Sequence, residues 1–366
     1  MKQPACQNRS RFRDTMDPMS DASFYRIGRT GPVKRVASAI EAVSVSDLDG
    51  FAWLHYREAS RDDLDQLVGL LGLHALSIED CFDDHQIPKI DDYPDNTFIL
   101  FNTFQYGHGV LEVGEINLFL GQRFLVSISH LDSSHRSYLD GVEKMVERDI
   151  EEARQGPSHL MHLILDQVVD QKFVAIEALE DELNGVEEAL MADPASFQPV
   201  ELIRFRRYLL RLRKSLFHER EILSKICRGD FPLVSKKAIY HYRDIYDHLV
   251  RFYEVTESYR DIVTSLMEMY LSMLNNQMAK AANDTNATVR RLTLITTIFM
   301  PLTLLAGIGG MSEWTMITGP RNWHISYPAF MLAMVVIGFA SYRFLSRMDR
   351  NQNPSRRAQL SRRWRA

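Results

Sequence analysis

Residues 292–311 read LTLITTIFMPLTLLAGIGGM, twenty consecutive residues without a charged side chain. A helix of this length spans roughly 30 Å, the thickness of the hydrocarbon core of a bilayer. A second uncharged run, YPAFMLAMVVIGFASY, covers residues 327–342 and reaches that length when Trp323–Ser326 and the aliphatic stem of Arg343 are included. The alternative for each run is a buried core helix, but two runs so close together favour a pair of transmembrane helices.

The charges beside these two runs predict their orientation. The connecting loop, residues 312–326, carries only Glu313 and Arg321, whereas arginines precede the first run and follow the second (Arg290, Arg291, Arg343, Arg347 and Arg350). Positive charge is retained on the cytoplasmic side of membranes. We therefore expect a multi-pass protein of the cell (inner) membrane whose N- and C-termini are cytoplasmic.

The overall composition excludes several other classes of protein. Residues 343–366 carry eight arginines and one acid, which leaves a net charge of −12 on the rest of the chain. A nucleic-acid-binding protein would carry its basic residues on a folded face, so we expect no nucleic-acid partner. The chain has neither a glycine-rich phosphate loop nor an H-E-x-x-H motif, and its histidines show no ligand-like spacing. We therefore expect neither an enzyme nor an organic cofactor, and we expect His241 and His248 to be surface residues.

The pattern of apolar residues divides the rest of the chain. Residues 1–40 mix Pro, Arg, Ser and Gly without periodicity and predict a loose leader. Residues 41–157 alternate between short β-rich and helical runs, which predicts a cytoplasmic α/β domain. Residues 158–291 are helical throughout and predict a hairpin followed by a long stalk helix. The rest of the chain is then predicted to contain the first transmembrane helix (292–311), the outer loop (312–326), the second transmembrane helix (327–345) and a basic cytoplasmic tail (346–366).

The helical part contains two features that we interpret further. Helices over His159–Met191 and from Pro199 to about Cys227 are rich in acids and in bases respectively, which predicts an antiparallel hairpin with complementary charge. From Leu233 to Met300 there is neither Gly nor Pro, and apolar or neutral residues recur at heptad spacing from Ile245 to Met273. A single helix of roughly seventy residues cannot bury such a seam alone, so we expect self-association around an axis.

At this point the sequence resembles the CorA family of divalent-cation channels, and the resemblance runs from about residue 50 to the C-terminal spans. Its densest part is TIFMPLT at Thr297–Thr303 and LAGIGGM at Leu305–Met311. Further matches are shorter: Glu79-Asp80, His85-Gln86, Pro88-Lys89, Arg243-Asp244, Tyr246–His248, Tyr259–Val263, Trp323 and Tyr327-Pro328. The resemblance implies an α+β membrane protein with a cytoplasmic α/β domain, a helical stalk and two C-terminal spans, assembled as a funnel-shaped homopentamer in lipid.

The resemblance also implies a selectivity filter at the outer end of the first span. The signature of the family is Gly-Met-Asn, whose oxygens hold a cation that keeps its water shell, and here the sequence is Gly310-Met311-Ser312. Serine keeps an oxygen but shortens its reach and loses the amide. Glu313 is the one acid of the outer loop, and it either concentrates cations at the mouth or is an ordinary exposed charge.

Two further sets of residues match functional positions of the family. The pore line is matched by Asn286, Val289, Leu292, Thr296, Met300 and Thr303. Apolar rings would block by dewetting, and polar rings would give hydrated ions stopping points. The acids that bind regulatory Mg²⁺ between subunits are matched by Asp80, Asp244 and Asp247, for which solvated surface acids are the alternative.

These observations predict channel-like transport of divalent cations, Mg²⁺ first and Co²⁺ or Ni²⁺ next, gated by cytoplasmic Mg²⁺. Two alternatives stay open. The same architecture serves a transporter of another metal such as Zn²⁺, given Ser312, or a non-conducting sensor or scaffold.

Overall fold

The structure is a computed structural model that describes residues 21–44, 50–83, 86–310, 319 and 322–352. The chain divides into two compact units, Met1–Tyr270 and Leu271–Ala366. The first unit contains a β-sheet and most of the helices. Within the described residues, the second contains the C-terminal part of the longest helix and one further helix.

A seven-stranded sheet forms the centre of the first unit, among the residues described. Its strands are β1 (Asp21–Gly28), β2 (Lys34–Val36), β3 (Gly50–Glu58), β4 (Lys89–Asp92), β5 (Asn96–Gly107), β6 (Val110–Gly121) and β7 (Phe124–Ser129). Their spatial order is β2-β1-β3-β7-β6-β5-β4. The β3–β7 pair is parallel and the other neighbours are antiparallel.

Helices cover both faces of this sheet. The short helices are α1 (Ala39–Val43), α2 (Arg61–Leu71), α3 (Ala75–Asp80), α4 (Val142–Arg148) and α5 (Ile150–Ala153). Phe98 of β5 lies in one core cluster with Leu64 and Leu67 of α2, whereas the Phe101 ring lies on the opposite face under Lys172. Because successive side chains of a strand point to opposite faces, coverage on both sides buries β5 almost without interruption.

Three long helices follow: α6 (Pro157–Ala192), α7 (Val200–Arg228) and α8 (Ile239–Gly309). Pro157 occupies the first turn of α6, where a missing N–H costs nothing, and Gly229 ends α7 in the left-handed conformation with φ 81°. The two predicted hairpin helices are confirmed, and their observed ends lie within two residues of the predicted ends. The long helix predicted from the absence of Gly and Pro is also confirmed: it is α8, which is 71 residues long.

The prediction of a loose leader over residues 1–40 is wrong for its second half. Residues 1–20 lie outside the described part of the chain, but β1 and β2 occupy Asp21–Gly28 and Lys34–Val36. Strand β1 pairs along its whole length with β3. The stabilisation of β1 therefore comes from a partner far along the sequence, which a local reading of Pro, Arg, Ser and Gly content misses.

The proposed purpose of the heptad seam also needs correction. Its positions from Ile245 to Leu266 are buried within a single chain. Contacts from α8 to the hairpin explain this burial: the ring of Phe252 stacks on Phe173 of α6 at 5.9 Å, and Glu257 pairs with Arg213 of α7 at 2.6 Å. The seam is thus covered by the chain's own hairpin, and it supplies no argument for self-association.

Among the described residues, two helices are long and apolar enough to cross a membrane: α8, whose C-terminal part lies in the second unit, and the segment His324–Phe344 of α9 (Trp323–Gln352). The apolar window of each is exposed in the single chain. Within this unit, Leu302 of α8 is the side chain nearest to Gly338 of α9. The outer loop lies largely outside the described residues, and α9 continues seven residues into the predicted tail.

Candidate ion pathway and metal-binding sites

The six candidate pore residues share one exposed face of α8. Asn286, Val289, Leu292, Thr296, Met300 and Thr303 are all exposed. The face of α8 toward α9 is different: Leu302 would contact a side chain added at Gly338, and Gly309 lies against Phe330. At about 100° per residue, the two sets of residues lie on roughly opposite sides of the helix. The face opposite α9 is therefore free for neighbouring chains or solvent.

The threonine hydroxyl groups on this face already donate their protons in hydrogen bonds within α8. The Oγ1 of Thr296 donates to the carbonyl of Leu292 at 3.0 Å, and the Oγ1 of Thr303 donates to the carbonyl of Phe299 at 2.9 Å. A threonine that donates back to its own helix keeps its oxygen lone pairs available. Both threonines therefore present acceptors, which suits the outward-pointing protons of water around a cation.

Only part of the predicted filter lies in the described residues. Met311, Ser312 and Glu313 are outside them. Gly310 follows the end of α8, and its N–H donates to the carbonyl of Ala306 at 3.0 Å. A Cβ added at Gly310 would lie 3.3 Å from that carbonyl oxygen, whereas one added at Gly309 would lie 2.7 Å from the Phe330 ring. The family motif points to Gly310, but Gly309 is the glycine required for close helix packing.

Asp80 lies in an acidic pocket of about 470 Å³ at the end of α3. The other lining residues are Leu76, Glu79, Asp83, Lys89, Asp91, Asp92 and Tyr93. The Nζ of Lys89 is 2.5 Å from Asp80 and 3.7 Å from Asp91. Burial opposes the charge of Lys89, yet its hydrogen bond to Asp80 raises the pKa of the lysine above its usual value. One lysine among five carboxylates leaves the pocket strongly negative.

Asp244 and Asp247 lie on the exposed surface of α8. The Asp244 side chain is 75% exposed, and its Oδ2 lies 3.8 Å from the Nε2 of His248. Among the described contacts, no hydrogen bond or ion pair joins Asp80 to either residue within the chain. The structure thus brings Asp244 and Asp247 together on one helix but leaves Asp80 apart.

Asp166 of α6, which the sequence did not single out as a candidate ligand, faces this part of α8. Burial, and then the charges of Asp170 and Asp244, raise the pKa of Asp166 above its usual value. Carboxylates that repel one another in this way are stabilised by a cation between them. The apolar pattern of α6 carries no signal for this role, because Asp166 is one acid of many on that helix.

The expectation that the histidines do not cluster is wrong. His159 and His162 of α6 and His241 of α8 come together, with ring centroids 5.1 Å apart for His162 and His241 and 6.0 Å for His159 and His241. His241 is far from the other two in sequence, so spacing alone carries no sign of the contact.

Comparison with known proteins agrees with the fold. A family model described as CorA-like Mg²⁺ transporter protein matches residues 49–347. The chain is 31% identical to the cobalt/magnesium transport protein CorA of Thermotoga maritima, over 78% of this chain and 79% of that one. It is also 31% identical to the putative metal ion transporter YfjQ of Bacillus subtilis, over 82% and 90% of the two chains.

A solved structure shows the same fold at lower identity. The CorA magnesium transporter from Methanocaldococcus jannaschii aligns with a TM-score of 0.65 and 21% identity, covering 88% of this chain and 96% of that one. The predicted fold class, an α/β domain, a long helix and two C-terminal membrane helices, is thereby confirmed. Since the family model covers most of the chain and two relatives exceed 30% identity, the chain belongs to the CorA-like family of Mg²⁺ transporter proteins, membrane transporters of divalent cations.

Proposed function

We propose that the protein is a channel-like homo-oligomer that conducts Mg²⁺ across the cell membrane and closes when cytoplasmic Mg²⁺ is high. The observation that carries the proposal is the exposed face of α8 opposite α9, where apolar side chains alternate with Asn286, Thr296 and Thr303. Family membership makes the chain a transporter rather than an enzyme.

The chemistry of this face suits a hydrated ion better than a dehydrated one. Mg²⁺ sheds water reluctantly, so a pathway that conducts it is best lined by acceptors for water protons rather than by carboxylate cages. The threonine oxygens are such acceptors, whereas Val289, Leu292 and Met300 offer water nothing. In a narrow pore these three apolar rings would act as a gate that closes by dewetting.

Flux into liposomes tests the proposal directly. Purified protein in vesicles with an internal Mg²⁺ indicator should take up Mg²⁺, with Co²⁺ and Ni²⁺ competing. Preferential uptake of Zn²⁺ would favour the alternative of a transporter for another metal. Absence of flux for all these ions, from protein shown to be folded, would favour the non-conducting sensor or scaffold.

We predict that the detergent-solubilised protein is a ring of identical subunits, five by family resemblance. The reason is the exposed apolar surface of α8 and α9, which includes Phe299, Met300 and Leu304 at 60–72% exposure. A single chain surrounded by lipid has no closed pathway for an ion, whereas a ring of chains encloses one. Native mass spectrometry measures the subunit number. A stable monomer would contradict the pore.

We predict that the double change Asp80→Ala with Asp244→Ala weakens the protection of the cytoplasmic domain from protease by Mg²⁺. In the proposed gate, Mg²⁺ bridges Asp80 of one subunit to Asp244 and Asp247 of the next. Loss even of outer-shell partners costs roughly 10–100-fold in metal affinity, so half-protection should need at least about tenfold more Mg²⁺.

Glu254→Ala is the matched control for this experiment, because Glu254 is an exposed acid on the same helix outside the proposed set. The control should behave as the parent does. If Mg²⁺ protects the double variant at the parent's concentration, the regulatory assignment is wrong.

A further inference from the structure

Three side chains from three helices converge in the first unit. Glu152 lies on α5, His162 on α6 and His241 on α8, and their possible donor atoms lie within 4.8 Å of one another. The Oε1 of Glu152 is 3.3 Å from the Nδ1 of His162 and 3.4 Å from the Nδ1 of His241. Bonds of about 2.0–2.2 Å to a tetrahedral ion separate neighbouring ligand atoms by about 3.3–3.5 Å. Two edges of the triad therefore already have the length that a tetrahedral ion requires.

Two atoms of this triad are buried without a hydrogen-bond partner in the described part of the chain. The His162 side chain is 8% exposed, and neither its Nδ1 nor the Oε1 of Glu152 has a hydrogen-bond partner of acceptable geometry among the described residues. Leaving such atoms buried and unpaired destabilises a fold, because their lost contacts with water are not replaced.

We propose that Glu152, His162 and His241 bind one transition-metal cation of the Zn²⁺, Co²⁺ or Ni²⁺ class. Two imidazoles and one carboxylate are the ligands that these ions prefer, whereas Mg²⁺ demands octahedral oxygen ligands at 2.0–2.1 Å and is poorly served here. The His241 side chain is 44% exposed, so an ion reaches the triad from solvent and a water completes its shell.

The position of this site gives it a consequence for the cytoplasmic unit. An ion there would bond α8 to α6 and to α5, the helix just before the hairpin. The triad is also coupled electrostatically to two neighbouring acids. The charge of Asp244 acts on His162. The charge of Glu152 acts on Asp166. The protein would then carry an imidazole site for transition metals close to Asp166 and Asp244, whose carboxylate oxygens suit Mg²⁺. The site stands whether or not the pore conducts.

Metal titration of the purified full-length protein tests the proposal. Zn²⁺ is titrated against a chelating indicator in excess Mg²⁺, which saturates the oxygen-only sites, and Co²⁺ is titrated by its visible absorption. We expect one Zn²⁺ per chain that Mg²⁺ does not displace, and an intense Co²⁺ spectrum typical of four-coordinate geometry. Zinc should also raise the midpoint of thermal unfolding of the parent.

The variants separate the triad from other histidines. His241→Gln changes a partly exposed residue and should leave the fold intact, while weakening Zn²⁺ binding at least about tenfold and abolishing the Co²⁺ spectrum. Glu152→Gln should do the same. His218→Gln, which changes a histidine of α7 outside the triad, should bind as the parent does. Unchanged Zn²⁺ affinity in His241→Gln, or a weak six-coordinate Co²⁺ spectrum in the parent, would overturn the proposal.

Discussion

Replacing Lys172 by methionine is expected to destabilise the first unit by about 3–5 kcal/mol, the cost of breaking a buried ion pair by removing one partner. The Nζ of Lys172 lies 2.5 Å from the Oε2 of Glu219, and both side chains are completely buried. Burial lowers the pKa of Lys172 to about 8, but Glu219 opposes that change and keeps the lysine charged near neutral pH. Methionine fills much of the same volume and leaves the carboxylate without its cation.

The other partner is held even more firmly. The Oε1 of Glu219 accepts a hydrogen bond from the backbone N–H of Asn102 at 3.0 Å and one from Ser215 at 3.2 Å. The Lys172 ammonium in turn lies over the rings of Phe101 and Phe104, at 4.2 and 5.1 Å from their centroids. The pair therefore connects α6, α7 and β5, and its loss should loosen all three.

A double variant distinguishes charge from packing. In Lys172→Met with Glu219→Gln, the glutamine amide oxygen still accepts from Asn102, and no charge is buried. We expect this variant to recover most of the lost stability, measured by urea unfolding followed by circular dichroism. A double variant as unstable as Lys172→Met would mean that shape rather than charge determines the cost.

This ion pair shows what the sequence could predict about the hairpin. The acidic α6 and basic α7 predicted complementary helices, and Arg204 of α7 does contact Glu182 of α6 at 2.6 Å. The buried pair has the opposite sign, a lysine on the acidic helix and an acid on the basic one. Net charge per helix describes the solvated faces, whereas the buried position is set by neighbours from β5 that are distant in sequence.

The same distinction explains the other successes and failures. The absence of Gly and Pro from Leu233 to Met300 predicted α8, and uncharged runs predicted the apolar parts of α8 and α9, because these signals act over consecutive residues. The heptad seam from Ile245 correctly marked a buried face, but periodicity does not say which partner covers it. Strand β1, the Asp166 environment and the Glu152–His162–His241 triad all depend on contacts between distant segments, and a single sequence carries no local sign of those.

For the ion pathway, the sequence predicted one face of α8, and the structure adds which glycine lies against α9. We expect Gly309→Ala to reduce Mg²⁺ flux more than Gly310→Ala. A methyl group at 309 would lie 2.7 Å from Cζ of Phe330, well inside normal carbon contact, whereas one at 310 would be 3.3 Å from the Ala306 carbonyl. Overpacking of this kind costs about 1–3 kcal/mol, and small residues are what allow membrane helices to approach.

The expected effect of Gly309→Ala is a loss of liposome flux of about tenfold or more, since separating α9 from α8 would displace the segment that leads into the proposed filter. Truncating the clashing ring tests the cause: Gly309→Ala combined with Phe330→Ala should conduct better than Gly309→Ala alone. Ser312→Asn provides the contrast, because it should tighten block by cobalt hexammine while leaving the helix contact unchanged. If Phe330→Ala gives no rescue, the loss arises from the backbone at residue 309 itself, and the packing of α9 does not position the filter.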